Sequence, residues 1–184
     1  MFNDKYGLTK AVLEGRKTMT RRIVPGYDGK TIPYGGIDGS KHFVIANKDR
    51  FFTSVYAIGE VVAVAQSYES VLKERGGVKT IAVEVNAGFR NKMFVVAAYM
   101  PHQIRITNIR VERLQDISDN DCEREGLEWI NRSPGIYKRW TFNGVSCDYE
   151  TRREAFAALI DKVSGKGTWE SNPWVFVYEF ELVK

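Results

Sequence analysis

The sequence predicts an α+β fold, a small twisted β-barrel with short helices at its ends. Three observations carry that expectation. Near the C-terminus Trp174, Phe176, Tyr178, Phe180 and Leu182 fall on every second position, so they share one face of a strand. Residues 60–66 and 80–85 are runs of β-branched and small apolar residues, the composition of buried strands. Residues 152–163 instead place Phe156, Leu159, Ile160 and Val163 at i, i+3, i+4 and i+7, the stripe of an amphipathic helix packed on the sheet. Several strands with a few short helices define the α+β class.

The remaining elements follow in chain order. Residues 8–14 put Leu8, Ala11 and Val12 at helical spacing, and Gly15 then supplies the left-handed residue that ends a helix. From Lys17 to Val24 the pattern becomes alternation, which predicts a strand. Thr18, Thr20 and Arg22 fall on one side of it, and Met19, Arg21 and Ile23 on the other. Residues 25–41 hold Pro25, Gly26, Gly29, Pro33, Gly35, Gly36 and Gly39, and so many breakers predict a long loop or insertion. Within 104–114 the apolar phase passes from Ile104 and Ile106 to Ile109 and Val111, so a bulge or bend is expected near Thr107 and Asn108. Ser118 with Asp121 three residues on resembles a capping box, opening a helix that runs to Glu125 and stops at Gly126.

With 184 residues, 43% hydrophobic and 27% charged, the chain is long enough to bury a core as a single domain over 1–184. The composition excludes a disordered tail, a collagen-like fibre and a disulfide scaffold. No apolar run approaches the roughly 18–20 residues of a membrane helix. The first residues, MFNDKYGLTK, lack the apolar stretch of a signal peptide. Cys122 and Cys147 form no Cys-x-x-Cys pair. A reducing, cytoplasmic setting is expected, with no zinc site and no cofactor.

The net charge of +4 is unevenly placed. Residues 1–25 hold Lys5, Lys10, Arg16, Lys17, Arg21 and Arg22 against Asp4 and Glu14, and the rest of the chain is balanced. Clustered cations attract phosphate-bearing partners, or simply sit solvated at a helix end. Other motifs are weak. Gly165-Lys166-Gly167-Thr168 lacks P-loop spacing and reads as a helix C-cap with a turn. His42 and His102 are far apart with no carboxylate pair beside them. Trp129, Trp140, Trp169 and Trp174 could stack on bases. Trp174 has the phase of the core strand, and Trp140 follows Tyr137-Lys138-Arg139 as a nucleic-acid surface would, although aromatics also dominate ordinary cores.

The most unusual segment is Gly15-Arg16-Lys17-Thr18-Met19-Thr20-Arg21-Arg22. It sets an amine, a hydroxyl and a guanidinium within six residues of a helix-to-strand junction. On a strand Thr20 and Arg22 point the same way, and Lys17 in the turn can fold back over them. A lysine beside Arg21 and Arg22 should have a lowered pKa, more so if buried, and a neutral lysine can take a threonine proton. The plainer alternative is a basic edge strand with exposed side chains.

The pattern Gly15-x-Lys17-x-x-Thr20-x-Arg22 resembles the signature of the ASCH domain, a relative of the PUA-like RNA-binding barrels. Residues 8–23, 54–64, 110–126 and 172–182 are similar to blocks of the larger phage- and prophage-associated members. The resemblance implies a PUA-like small β-barrel with short flanking helices. One branch of that superfamily consists of small acetylcytidine amidohydrolases with a lysine, a threonine three residues later and a distant glutamate. Lys17, Thr20 and Glu125 match that set by position. This chain is longer, with insertions near 25–53 and 127–150. The implied roles are Lys17 as base on Thr20, Thr20 as nucleophile, and Arg22 or a backbone N–H at the oxyanion. Glu125 would orient the lysine or pass a proton to the leaving amine. Arg21 and Arg22 would bind the substrate. Three functions are therefore expected in turn: a module binding RNA or a modified nucleoside, an amidohydrolase of acylated cytidine-type nucleosides, and a metal-independent ribonuclease. None involves a membrane.

Overall fold

The computed structural model describes residues 2–27, 34–47, 50–76, 88–130, 139–143 and 148–183. The strands are β1 Met19–Ile23, β2 Tyr34–Ile37, β3 Phe43–Asn47, β4 Arg50–Thr53, β5 Val61–Ala63, β6 Gln103–Arg113, β7 Glu128–Ile130, β8 Arg139–Thr141 and β9 Trp174–Val183. The helices are α1 Leu8–Leu13, α2 Tyr68–Glu74, α3 Asp119–Arg124, α4 Arg152–Ser164 and α5 Thr168–Ser171. Among the described residues no helix is long and apolar enough to cross a membrane.

The molecule is mixed α and β. A curled antiparallel half-barrel sheet runs in the order β1-β9-β6-β5, compatible with a small β-barrel. β9 is its centre and is buried on both faces. Phe176, Tyr178 and Phe180 enter one core with Ile104, Ile106, Ile109 and Val64. Val175 and Val177 enter a second core with Met19, Phe156, Leu159 and Ile160. The expected alternation thus holds, and the odd positions Val175 and Val177 are buried as well because α4 covers their side. Burying each large apolar side chain of α4 contributes about 1.5–3 kcal/mol. α4 is opened by a full capping box, in which Thr151 accepts from the Glu154 N–H and Glu154 returns the bond.

The sheet register shifts between Ile106 and Asn108, the expected bulge. Its consequence is directional. Before it, even-numbered residues of β6 face the first core; after it, Ile109 does. Arg110 pairs with Val177, and Val177 pairs with Arg21, so these three side chains share the α4 side of the sheet. The bulge therefore delivers charged residues of β6 to the face on which Arg21 lies.

Of the loop expected over 25–41, residues 28–33 lie outside the described residues, and Tyr34–Ile37 form a strand instead. β2 pairs with β3 and β3 with β4 in an antiparallel meander. Ile45 of β3 is buried in the first core, with Phe43 and Phe52 packed against it. A Cβ at Gly35 would stand 2.3 Å from the Val44 carbonyl oxygen, so this glycine permits close strand approach. In the 127–150 region β7 pairs antiparallel with β8, and Trp140 is buried in the second core. The turn expected after Gly165 continues into α5. The 60–66 strand is shorter, as β5, and the one expected over 80–85 lies outside the described residues.

Candidate functional site

The helix-to-strand junction forms as the spacing predicts. α1 ends at Leu13, Gly15 has φ +72°, and the Arg16 and Lys17 N–H groups both donate to the Ala11 carbonyl. α3 begins at Ser118, whose hydroxyl accepts from the Asp121 N–H, and Gly126 at φ +102° turns the chain after Glu125. The junction then docks on the end of α3. The Thr18 N–H donates to the Arg124 carbonyl at 3.0 Å, and the Lys17 ammonium donates to the Glu125 carbonyl at 2.8 Å. A cation belongs at the negative end of a helix.

Lys17 also meets the Glu125 carboxylate, with Nζ 2.6 Å from Oε2. Arg21 Nη1 holds the other oxygen, Oε1, at 3.0 Å. Lys17, Arg21 and Glu125 are 2%, 5% and 4% exposed, so Glu125 is a buried anion rather than a solvated helix-end carboxylate. Burial pulls the Lys17 pKa down, Glu125 opposes it, Arg22 and Arg21 add to the fall, and the net is below the ordinary lysine value. Replacing a buried ion pair by apolar groups is often neutral or stabilising, so such a pair argues for function more than for stability.

Arg21, expected to bind substrate, spends all five of its N–H groups on protein acceptors: Met19 Sδ, Glu125, Asp121 and both bonds to Glu112. It stands behind Glu125. Arg110 bridges Glu112 and Asp121 from the side, and Arg124 reaches Glu179 at 2.8 Å. Glu112, Asp121, Arg110, Arg124 and Glu179 carry no local signal of this role, because the bulge and the docking of α3 bring them together. The basic excess of residues 1–25 is consequently not displayed as one surface. Lys17 and Arg21 are turned inward, and Arg16 pairs with Glu14 and Glu128.

Lys17, Thr20, Arg21, Arg22 and Glu125 all line one cavity of about 560 Å³. β1 is an edge strand, so a cavity beside it reaches both of its faces. Thr20 pairs with Tyr178 and Arg22 with Phe176, on the face opposite Arg21. The Thr20 hydroxyl has no hydrogen-bond partner among the described residues. Leu159 and Ile160 of α4 give the cavity an apolar wall, and Phe2 and residues 90–93 complete it. Lys92 ties that segment down, contacting Asp4 Oδ1 at 2.5 Å and the Phe2 carbonyl at 3.2 Å, and donating to Thr9. Sequence reasoning gave no hint of Lys92 or Arg90. Among the described residues no group of His, Cys, Asp and Glu side chains is arranged to hold a metal ion. No protein-family model, curated protein or solved structure matches the chain.

Proposed function

We propose that the protein is an ASCH-type amidohydrolase that removes a small acyl group from a cytidine-type nucleoside, on a PUA-like barrel. One observation carries the proposal: a buried Lys17–Glu125 pair at 2.6 Å lines the same cavity as the Thr20 hydroxyl and Arg22. The cavity volume falls in the range of roughly 300–1,000 Å³ that suits small organic ligands.

The chemistry then runs through this chain's own groups. Lys17 gives its proton to solvent, and Glu125 holds the neutral amine in place. The amine takes the Thr20 proton as the hydroxyl oxygen attacks the acyl carbon. Negative charge gathers on the carbonyl oxygen, and Arg22 stabilises it. The C–N bond breaks and the proton that Lys17 took from Thr20 goes to the departing nitrogen. Water, giving a proton to the Lys17 amine, then attacks the Thr20 ester; that proton passes to the Thr20 oxygen, and the released acid loses its own to solvent as the carboxylate. Arg21 touches no substrate in this scheme; it positions Glu125.

Acetate release from N4-acetylcytidine tests the assignment. Lys17→Ala and Thr20→Ala should each lower kcat/KM by about 100-fold or more, the usual scale of a lost general base or nucleophile. A wild-type protein that releases no carboxylate from a panel of acylated nucleosides overturns it. A second reading is a binding module for RNA or a nucleoside, favoured by Arg22, Arg90 and Lys92 in the cavity wall. It predicts salt-sensitive RNA affinity that survives Thr20→Val and falls with Arg22→Ala.

A further inference from the structure

Residues 88–93 run from α2 to the N-terminal segment, and Arg90, Asn91, Lys92 and Met93 line the larger cavity on the way. One end is fixed at α2. There the Gly88 and Phe89 carbonyls accept the Tyr68 and Glu69 N–H groups at 3.0 Å, and Phe89 is 1% exposed. The other end is fixed by Lys92. Its side chain is 8% exposed, and its ammonium meets Asp4 Oδ1 at 2.5 Å, the Phe2 carbonyl at 3.2 Å and the Thr9 hydroxyl. An ammonium has three N–H donors, so these partners occupy all of them. Thr9 donates its own proton to the same Phe2 carbonyl at 3.5 Å. Lys92 is therefore spent on residues 2–9, as Arg21 is spent on Glu125. The residue it places against the site is Phe2, whose ring lies 5.9 Å from Lys17 Nζ and 5.6 Å from the Phe180 ring. Phe2 also lines a small, largely apolar cavity of about 90 Å³ that shares Thr20 and Arg22 with the larger one.

We infer that Lys92 is a positioning residue: it clasps the N-terminal segment so that Phe2 closes over Lys17 and shields the amine from bulk water. The inference rests on the function proposed above and deepens it by naming what controls access to that site. Two effects of the ring on Lys17 oppose each other. At 5.9 Å the attraction between ring and ammonium is at its outer limit. Exclusion of water acts on a buried lysine far more strongly, so shielding wins. The charged groups facing Lys17 are Glu125 from the cap of α3 and Arg21 and Arg22 from β1, while Asp4, Arg90 and Lys92 line the same cavity. Phe2→Ala removes the shield and changes none of these charges. Lys92→Met removes the clasp and one cation.

Labelling of lysines with an N-hydroxysuccinimide ester, read by peptide mass spectrometry, tests the clasp without any substrate. Near pH 10.5, the ordinary lysine value, much of the Lys17 amine is free in every variant, so the rate reports access. Lys17 of the wild type should react about 10-fold or more slowly than Lys10, whose side chain is 76% exposed. Lys92→Met and Phe2→Ala should each speed Lys17 labelling by about 10-fold, the scale on which buried charge-assisted bonds shift a local opening. Asp4 is exposed, so Asp4→Asn keeps the fold and should speed labelling by a smaller factor. In activity, Lys92→Met and Phe2→Ala should move the kcat/KM limb to higher pH. Each should lose about 10-fold at neutral pH and recover as pH rises, whereas a damaged fold lowers kcat/KM at every pH. Lys17 labelling unmoved by all three variants overturns the clasp and leaves the amidohydrolase standing. A limb moved by Lys92→Met but not by Phe2→Ala assigns the effect to the lost charge and overturns the shield. A wild type that releases no carboxylate, with labelling that speeds up as stated, overturns the amidohydrolase and keeps the clasp.

Discussion

Lys17 is an ammonium with almost no water, and the balance on it decides what the site can do. Burial lowers its pKa, and Arg22 and Arg21 add to the fall. Glu125 is the opposing influence, through charge and hydrogen bond together. The folded state therefore holds the Lys17 proton less tightly than the unfolded chain does. The cost of the buried ammonium is fully present below the folded pKa and is relieved as pH rises toward the ordinary lysine value of 10.5. For catalysis the same sign means that the reactive amine becomes available at a pH below 10.5. The kcat/KM profile should rise with pH along a limb that ends short of that value. Glu125→Gln removes the group that holds the proton on, so the limb should move to lower pH even as the maximal rate falls. A limb unmoved by Glu125→Gln would mean that another group titrates. Arg21→Lys separates positioning from chemistry, since a lysine cannot bridge Glu125, Asp121 and Glu112 at once. Its kcat should drop and KM stay near the wild-type value.

At the scale of elements, the site depends on how tightly α1, α3 and β1 meet. Gly126 is the point of contact. Its φ is +102°, and a Cβ there would lie 3.3 Å from Ala11 Cβ and 3.4 Å from Lys17 Cβ and Cδ. Gly15 also has a positive φ, +72°, but no atom within 4 Å of its Cβ position. Strained backbone at either glycine costs about 1–3 kcal/mol once a side chain is added. Only Gly126→Ala also pushes on Lys17. Denaturant titration should show both alanine variants destabilised, whereas kcat/KM should fall in Gly126→Ala and hold in Gly15→Ala. The ends of these helices are legible in the sequence, because Ser118 and the two glycines act on their own neighbours. The bulge in β6 is legible for the same reason, as a change of apolar phase within a few residues. The β2–β4 meander is not. Gly35 and Gly36 resemble breakers, and only the partner strand reveals that Gly35 is needed to let Val44 approach. Of the site, Lys17, Thr20 and Arg22 stand out locally. Glu125 is reached only through the family resemblance, and Arg110, Glu112 and Glu179 only once the register is known.

Over the whole molecule, one ion network joins α3 to the sheet. Glu179 of β9 takes Arg124 of α3 at 2.8 Å, Arg110 of β6 and Asn108 beside the bulge. Arg110 then continues to Asp121 at 2.6 Å and to Glu112 at 3.0 Å, and both of these reach Arg21. The network sits on the side of the sheet away from the apolar core that holds Tyr178, and it fixes the helix that Glu125 caps. Isolated surface pairs contribute little, but these charges are half-buried and shared. Glu179 shows the sign. Burial raises its pKa, but the guanidiniums of Arg124 and Arg110 with Asn108 outweigh that, and the carboxyl is held below its ordinary 4.5. Its stabilisation is therefore present above 4.5 and is lost as pH falls through the lowered value. Thermal melts between pH 7 and pH 3 should show the wild type losing its margin in that acid window. Glu179→Gln should melt lower at pH 7, by no more than about 1–3 kcal/mol, the scale of a charge-assisted hydrogen bond. The two melting curves should then converge at the acid end, where the wild-type carboxyl is protonated too. Activity should follow stability only loosely in Glu179→Gln, because Lys17 and Glu125 keep their direct bond. A variant that lost catalysis while melting like the wild type would instead place Glu179 in the reacting site and overturn this reading.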